Sequence, residues 1–166
     1  MVGENKYEFK YKTFESIGEL QEKEQSILFS AVQAAQADAY APYSQFRVGA
    51  AIILDSGLVI SGSNQENAAF PTGICAERVA LGSVAHFINK GEKILKMAIS
   101  YLSEDIDISK APALSPCGMC RQSIIEFVNR QGSSFELLMM SPNESGIIIS
   151  DVTQLLPFTF SRSYLK

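Results

Sequence analysis

Three cysteines and one glutamate have the residue types and spacing expected of a catalytic metal centre. Cys117 and Cys120 form a C-x-x-C pair, Cys75 lies well before them, and Glu77 follows Cys75 by two residues. Three sulfur ligands leave one position of a tetrahedral zinc ion open to water, which is typical of a catalytic site and not of a structural one. A glutamate beside the metal but outside its ligand set can act as a general acid and base.

Each cysteine motif is expected to begin a helix. The apolar residues after Cys75 predict a helix to about Asn89, and Pro116 marks the boundary before a second helix from Cys117 to about Asn129. The N–H groups and the positive dipole end at the start of a helix stabilise thiolates, the form of cysteine that binds zinc. We therefore expect two helix starts to converge on one metal ion.

Other uses of these residues remain open at this stage. The C-x-x-C pair is also compatible with a redox pair or with two small buried side chains. A structural zinc site would need a fourth ligand, but the single histidine, His86, is predicted to lie in mid-helix about three turns from Cys75. That interpretation also leaves Glu77 without a role. An odd number of cysteines excludes a fully paired disulfide framework and favours a chemical use.

The remaining sequence predicts the strands and helices of an α/β sandwich. Alternation over residues 6–14 predicts an extra edge strand or an ordered arm. Ser16 and Glu19 have the spacing of a capping box, and the apolar residues that follow predict a helix to about Ala39. Runs rich in β-branched residues predict a sheet of about five strands, with a hairpin over 48–54 and 58–63 and further strands at 94–102, 135–140 and 147–149.

Composition limits the classes of partner. We expect one domain over residues 1–166, with 1–15 as an N-terminal extension and 155–166 as a C-terminal segment. The charged N-terminus lacks an apolar leader and no apolar run reaches the length of a membrane span, so we expect a cytoplasmic protein without a membrane partner. A formal net charge of −4 disfavours nucleic acid as a partner.

Beyond the cysteine motifs, four longer segments of the chain are distinctive: YAPYSQFRVGAA (40–51), SNQENAAFPTGICAERVAL (63–81), SPCGMCRQ (115–122) and LLPFTF (155–160). These segments resemble the small, homotetrameric cytidine deaminases whose zinc is held by three cysteines. The resemblance extends from Leu20 to about Phe160. It implies a three-layer α/β/α sandwich with a mixed sheet of about five strands, one Zn²⁺ per chain, and a homotetramer whose active sites are shared between subunits.

The same resemblance implies a reaction and a set of site residues. Cytidine or deoxycytidine would exchange its 4-amino group for the oxygen of an activated water, giving uridine or deoxyuridine and ammonia, with Glu77 moving the protons and Arg78 donating to the cysteine sulfurs. Cys75, Cys117 and Cys120 would bind the zinc. The implied substrate contacts are the Ala76 N–H with the pyrimidine O2, the Ser115 carbonyl with the leaving amine, Asn64 and Glu66 with the ribose hydroxyls, Phe46 with the base, and Phe160 with the base in a neighbouring subunit.

Several points stay open beside this resemblance. Asn64 and Glu66 would point the same way from an extended segment towards a sugar, or would cap the turn before Pro71. Phe70 stands where many relatives have tyrosine, and the segment before Ser16 is longer than the family predicts. The apolar C-terminal segment could simply cover the core of its own chain. Alternative substrates are blasticidin S or a base in a nucleic acid, and the non-enzymatic alternative is a structural zinc domain.

Overall fold

Six strands form one mixed sheet in the computed structural model, which describes residues 3–165. The strands are β1 Lys12–Phe14, β2 Phe46–Leu54, β3 Val59–Ser63, β4 Ile94–Ser103, β5 Glu136–Met140 and β6 Gly146–Ile149. Their order across the sheet is β1-β6-β5-β4-β2-β3. Only β4 and β5 pair in parallel, and all the other neighbouring strands pair antiparallel.

Three helices cover the two faces of this sheet: α1 Glu22–Ala37, α2 Ala76–Asn89 and α3 Gly118–Gln131. One core lies between α1 and the sheet, and a larger one lies between the sheet and the pair α2 and α3. This arrangement confirms the predicted three-layer α/β/α sandwich. Within residues 3–165, none of the helices combines the length and the apolar character that a membrane crossing requires.

The sheet has six strands where the sequence predicted about five, and the additional strand comes from the N-terminal arm. Only Lys12–Phe14 pairs with β6, because Phe14 is the arm residue that enters the core. Tyr7, Phe9 and Tyr11 alternate as a strand would, but each is about half exposed and finds no sheet neighbour. The alternation therefore predicted an extended arm correctly and overstated the length of its strand.

The capping box at Ser16 is present but caps a different element from the one predicted. It caps the start of a short 3-10 helix at Ile17–Glu19, and the next residue, Leu20, is extended. The long helix α1 begins at Glu22, where the Glu24 carboxylate accepts a hydrogen bond of 3.0 Å from the Gln21 N–H. It ends at Ala37, two residues before the predicted end.

Two glycines bring helices close enough to the sheet to position the site. A Cβ at Gly49 would lie 1.8 Å from the Ala31 carbonyl oxygen on α1, and a Cβ at Gly62 would lie 2.5 Å from the Ala80 nitrogen on α2. Neither contact is sterically possible, so both positions require glycine for the close approach. The close contact at Gly62 packs α2 directly against β3 and so fixes the position of the start of α2 relative to the sheet.

Candidate active site

Two helix N-termini bring the three cysteine sulfurs together. Cys75 is the N-cap of α2, Cys117 is the N-cap of α3, and Cys120 lies in the first turn of α3. The Sγ atoms of Cys75 and Cys117 are 3.9 Å apart, those of Cys117 and Cys120 are 3.5 Å apart, and all three lie within 4.8 Å of one another. Zinc–sulfur bonds of about 2.3 Å in a tetrahedron place sulfurs about 3.8 Å apart, whereas a disulfide requires about 2.05 Å. The donor set and its spacing therefore fit a zinc ion.

The protonation of the sulfurs favours metal binding at Cys75. A hydrogen bond from Cys120, together with one from Cys117 and the positive charge of Arg78, lowers the pKa of Cys75 to about 5. The same hydrogen bond to Cys75, with burial, raises the pKa of Cys120. A metal ion bound by all three sulfurs would displace the protons that remain on them.

Glu77 lies beside the sulfurs in a buried position. Its residue exposure is 5%, and burial followed by the negative charge of Cys75 raises the pKa of its carboxyl group. Its carboxyl group lies close to Cys120 and to Cys75, while the three-cysteine cluster itself does not include it. A carboxyl group with a raised pKa, next to a metal site but outside its ligands, suits proton transfer near neutral pH.

Arg78 lies near Cys75, and its positive charge contributes to the lowered pKa of that thiol. Its Nη2 donates a hydrogen bond of 3.1 Å to the Gly73 carbonyl and so fixes the loop that leads into Cys75. Within the described part of the chain its buried Nε has no hydrogen-bond partner. The guanidinium is therefore held by the loop in a position where its charge acts on the sulfur cluster.

A cavity of about 440 Å³ opens next to the sulfurs, a volume suited to a small ligand. It brings together most of the side chains and backbone groups that the sequence singled out. Ala76, the first residue of α2, has an N–H without a partner in its own helix and is therefore free to donate to a ligand. The lining residues are Ser44, Phe46, Val48, Asn64, Glu66, Cys75, Ala76, Glu77, Leu114, Ser115 and Cys117.

Phe46 forms one wall of this cavity and is itself held by a tyrosine. Its ring stacks on Tyr101 with the centroids 5.0 Å apart, and the Tyr101 hydroxyl donates to the Pro112 carbonyl at 2.9 Å. Phe46 is half-buried, so one part of the ring packs in the core while another faces the cavity. The stacking fixes the orientation of the ring beside the cavity.

Asn64 and Glu66 line the cavity while holding the loops around it. The Asn64 side chain accepts from the Val48 N–H at 2.8 Å and donates to the Phe46 carbonyl at 2.9 Å, which anchors the start of β2. Glu66 accepts hydrogen bonds from the N–H groups of Tyr43 and Ser44, both at its Oε2. Hydrogen bonding from the Ser44 side chain and from these N–H groups lowers the pKa of Glu66.

The alternative that these two residues cap the turn before Pro71 is wrong. In that turn the side-chain bond comes from Asn67, whose Oδ1 accepts from the Ala69 N–H at 2.8 Å, and the 3-10 helix at Phe70–Thr72 has no side-chain cap. Phe70, the residue that stands in place of a common tyrosine, is 75% exposed and packs edge-on against Tyr43. Phe70 therefore lies at the protein surface beside Tyr43 and is not part of the sulfur cluster.

Phe160, a predicted substrate contact, does not line the cavity of its own chain. It is 60% exposed, stacks on Tyr164 at 5.7 Å, and accepts a hydrogen bond at its carbonyl from Gln122. Phe158 beside it is 94% exposed. The C-terminal segment therefore leaves aromatic side chains uncovered, contrary to the alternative in which it simply covers its own core.

Three further residues shape the cavity without having been predicted. Tyr101 supports Phe46, Leu114 lines the cavity wall, and Arg121 binds the loop before Cys117. Arg121 was visible in SPCGMCRQ together with its partners Ser115 and Pro116, but its third partner, Leu155, lies in another segment. Tyr101 and Leu114 carry no local sequence signal, because they become adjacent to the site only when β4 and the loop after it are folded.

A three-layer sandwich with three cysteines and a buried, non-ligand glutamate at two helix starts defines the class of zinc-dependent base deaminases. Comparison with known proteins gives the family: residues 21–132 match the cytidine and deoxycytidylate deaminase zinc-binding region. The chain belongs to this family.

Relatives and solved structures agree with the family. A probable cytidine deaminase from Dictyostelium discoideum is 35% identical over 135 residues, covering 81% of this chain and 82% of that protein. The cytidine deaminase of Sporosarcina psychrophila is 34% identical over 132 residues, covering 80% and 88%. The crystal structure of cytidine deaminase from Burkholderia pseudomallei superposes with a TM-score of 0.64 at 30% identity, covering 81% of this chain and 97% of that one.

Proposed function

We propose that this protein hydrolyses the 4-amino group of cytidine and deoxycytidine, giving uridine or deoxyuridine and ammonia. The observation that carries the proposal is Glu77, buried in the wall of a cavity with Cys75 and Cys117, whose sulfurs form a cluster of zinc-binding dimensions with that of Cys120. The family and its named relatives support the same reaction.

The three sulfurs would hold the metal. A zinc ion on Cys75, Cys117 and Cys120 supplies Lewis-acid activation of the attacking water. The thiolates carry more negative charge than the ion neutralises, and Arg78 offsets part of the excess from the side of Cys75. We assign Arg78 to this electrostatic role because Gly73 holds its guanidinium in place.

Glu77 is placed to carry each proton of the reaction. It accepts one proton from the water as the oxygen bonds to C4, and it delivers that proton to the ring N3. It then takes the second proton of the same water and delivers it to the amino group, which leaves as ammonia while the C4 carbonyl forms. Both protons of water are thereby accounted for, and burial keeps the carboxyl pKa high enough for it to donate as well as accept.

The cavity walls would bind the nucleoside by its different parts. The Ala76 N–H would donate to the pyrimidine O2 and the Ser115 carbonyl would accept from the amino group. Phe46 would pack on the base. Asn64 and Glu66 would bind the ribose hydroxyls, and Glu66 is suited to this because its two loop bonds both end on Oε2.

We further propose a homotetramer in which Phe160 completes the site of a neighbouring subunit. The support is the exposure of Phe158 and Phe160 on a segment that does not line its own cavity. Three reduced thiols as metal ligands favour the cytoplasm, and release of a nucleoside product fits a role in pyrimidine salvage.

The test is an activity assay with purified protein and several cytosine compounds. Cytidine and deoxycytidine should lose the cytosine absorbance and release ammonia, whereas free cytosine and blasticidin S should react poorly. Rapid turnover of blasticidin S without turnover of cytidine would assign another substrate. Absence of turnover with all of them, in protein that contains zinc, would support a structural zinc domain instead.

A further inference from the structure

Arg121 occupies a position that its own helix disfavours. It is the fourth residue of α3 and directly follows Cys120, so its cation lies near the positive end of the helix dipole. Its half-buried side chain forms no ion pair with any of the described residues. It is held instead by three hydrogen bonds to neutral oxygen atoms, and these bonds indicate what it does.

Two of the three bonds bracket a single peptide group. Nε donates to the Pro116 carbonyl at 2.9 Å, and Nη2 donates to the Ser115 hydroxyl at 2.9 Å. The peptide between Ser115 and Pro116 lies between these acceptors, and the proline ring restricts the backbone further. The Ser115 carbonyl belongs to this peptide, and Ser115 lines the cavity beside Cys117. Arg121 therefore fixes the orientation of a backbone group in the cavity wall.

The third bond ties this loop to a distant segment. Nη1 of Arg121 donates to the Leu155 carbonyl at 3.3 Å, and Leu155 is buried. The preceding residue, Gln154, accepts from the Tyr7 hydroxyl at its carbonyl (3.0 Å) and from the Lys10 N–H at its Oε1 (2.9 Å). The N-terminal arm thus binds Gln154, the neighbour of the residue whose carbonyl accepts from Arg121.

We propose that Arg121 is a positioning residue that orients the Ser115 carbonyl towards the amino group of the substrate, and that the N-terminal arm braces it through Gln154. The inference rests on the proposed function, because it assigns a task to the Ser115 carbonyl. A lysine at this position keeps the charge but has one nitrogen in place of a planar fork, so it cannot reach three acceptors at once. The arm residues Tyr7 and Lys10, and Gln154, lie outside residues 21–132, the matched family region.

The first test compares Arg121→Lys with Arg130→Lys. Arg130 is the matched control because it lies on the same helix and also donates to neutral acceptors, the Ala85 carbonyl and Asn89, but away from the cavity. We expect Arg121→Lys to lower kcat with cytidine by about 10- to 100-fold, as a small misplacement of a reacting partner does. Zinc content should stay that of the wild type, and Arg130→Lys should retain wild-type kcat.

A ligand without the amino group separates positioning from a general structural role. The inhibition constant of the pyrimidin-2-one ribonucleoside, which lacks the 4-amino group, should change less than about twofold in Arg121→Lys, since the Ser115 carbonyl has no hydrogen to accept from it. Equal losses with cytidine and with this inhibitor, or loss of zinc, would show that Arg121 serves the fold or the metal site and would overturn the inference.

Ser115→Ala keeps the test decisive if Arg121→Lys folds poorly. It removes one acceptor of Arg121 while leaving the backbone carbonyl, and should lower kcat with cytidine by about two- to tenfold. In the double variant the losses should not multiply, because the same contact is already gone. Independent losses would overturn the inference. A wild-type protein inactive on cytidine would refute the proposed function and this inference together, whereas an active wild type with a normal Arg121→Lys would refute the inference alone.

Discussion

Glu24 and Glu77 are buried on opposite faces of the sheet, at 8% and 5% exposure, and their environments differ in charge. Glu24 lies on the α1 face, where the Lys96 ammonium bonds it at 2.7 Å and also bonds Glu136 at 2.6 Å. Burial alone would raise the pKa of Glu24, but the hydrogen bonds from Lys96 and from the Gln21 N–H, together with the charge of Lys96, outweigh it and lower the pKa. Glu77 lies on the face of α2 and α3, where burial and the charge of Cys75 raise its pKa.

The difference between these carboxyl groups separates structure from chemistry. A buried carboxylate with a hydrogen-bonded cation stays ionised and serves to join elements, here α1, β4 and β5. A buried carboxyl without an ion-pair partner, beside sulfur ligands and a cavity, is costly for the fold and is kept in a form that can exchange protons. Matched substitutions on the two faces should therefore have opposite consequences.

The largest effect is expected from the metal ligands on the α2 and α3 face. Cys120→Ala should lose the bound zinc and with it essentially all activity, because a third of the protein's ligand set is removed. Metal analysis of the purified variant measures the loss, with Glu24→Gln as a control that should retain zinc. A full complement of zinc in Cys120→Ala would contradict the assigned site.

Glu77→Gln should have the second largest effect: we expect kcat to fall by about 10²- to 10⁴-fold, since positioned proton transfer typically contributes that much. The variant should keep its zinc and its fold, and substrate binding should survive better than turnover. The isosteric change on the other face, Glu24→Gln, should leave kcat near that of the wild type. Similar rates in the two variants would remove the distinction drawn between the two carboxyl groups.

Lys96→Met should affect stability while sparing the chemistry. The change leaves the carboxylates of Glu24 and Glu136 facing each other without their shared cation, and we expect it to lower the free energy of unfolding by about 1–3 kcal/mol. Urea unfolding measures this, and kcat of the folded variant should stay normal. If Lys96→Met instead lost activity at unchanged stability, the α1 face would have a functional role that its charges do not indicate.

The smallest effect concerns the pH dependence of stability. Because the pKa of Glu24 lies below its ordinary value of 4.5, its contribution is complete above that value and is lost as the pH falls through the lowered pKa. The difference in unfolding free energy between the wild type and Glu24→Gln should therefore be constant near neutral pH and shrink on acidification. The pKa of Lys96 is raised above 10.5, although its burial acts in the other direction, so its contribution is lost only as the pH rises past that value. If the wild type instead became more stable relative to Glu24→Gln as the pH fell, the pKa of Glu24 would not be lowered in the folded protein.

Sequence alone predicted the parts of the site that depend on local spacing. Cys75, Glu77, Cys117 and Cys120 are fixed by where two helices start, and a helix start is readable from a few neighbouring residues. The hairpin was equally local, with Gly57 at a positive φ of 87° in its turn. The sandwich followed from the order of these elements.

What could not be predicted depends on contacts between segments far apart in the chain. The capping box at Ser16 was read correctly as a cap, but which helix it served depended on the extended Leu20. Asn64 binds both Val48 and Phe46, a pairing that no spacing within its own loop announces. The length of β1 was set by which arm side chain could enter the core, and only Phe14 does so.

The pairing of β1 with β6 has a consequence for the order in which the protein can fold. The N-terminal arm meets its partners only near the other end of the chain, as with the hydrogen bond from Tyr7 to Gln154, 147 residues later. The hairpin of β2 and β3 with α1 can form from the first part of the chain to leave the ribosome, because its contacts are close in sequence. β1 cannot pair with its neighbour in the sheet until β6 has been synthesised. Docking of β1 on the sheet therefore follows the synthesis of β6.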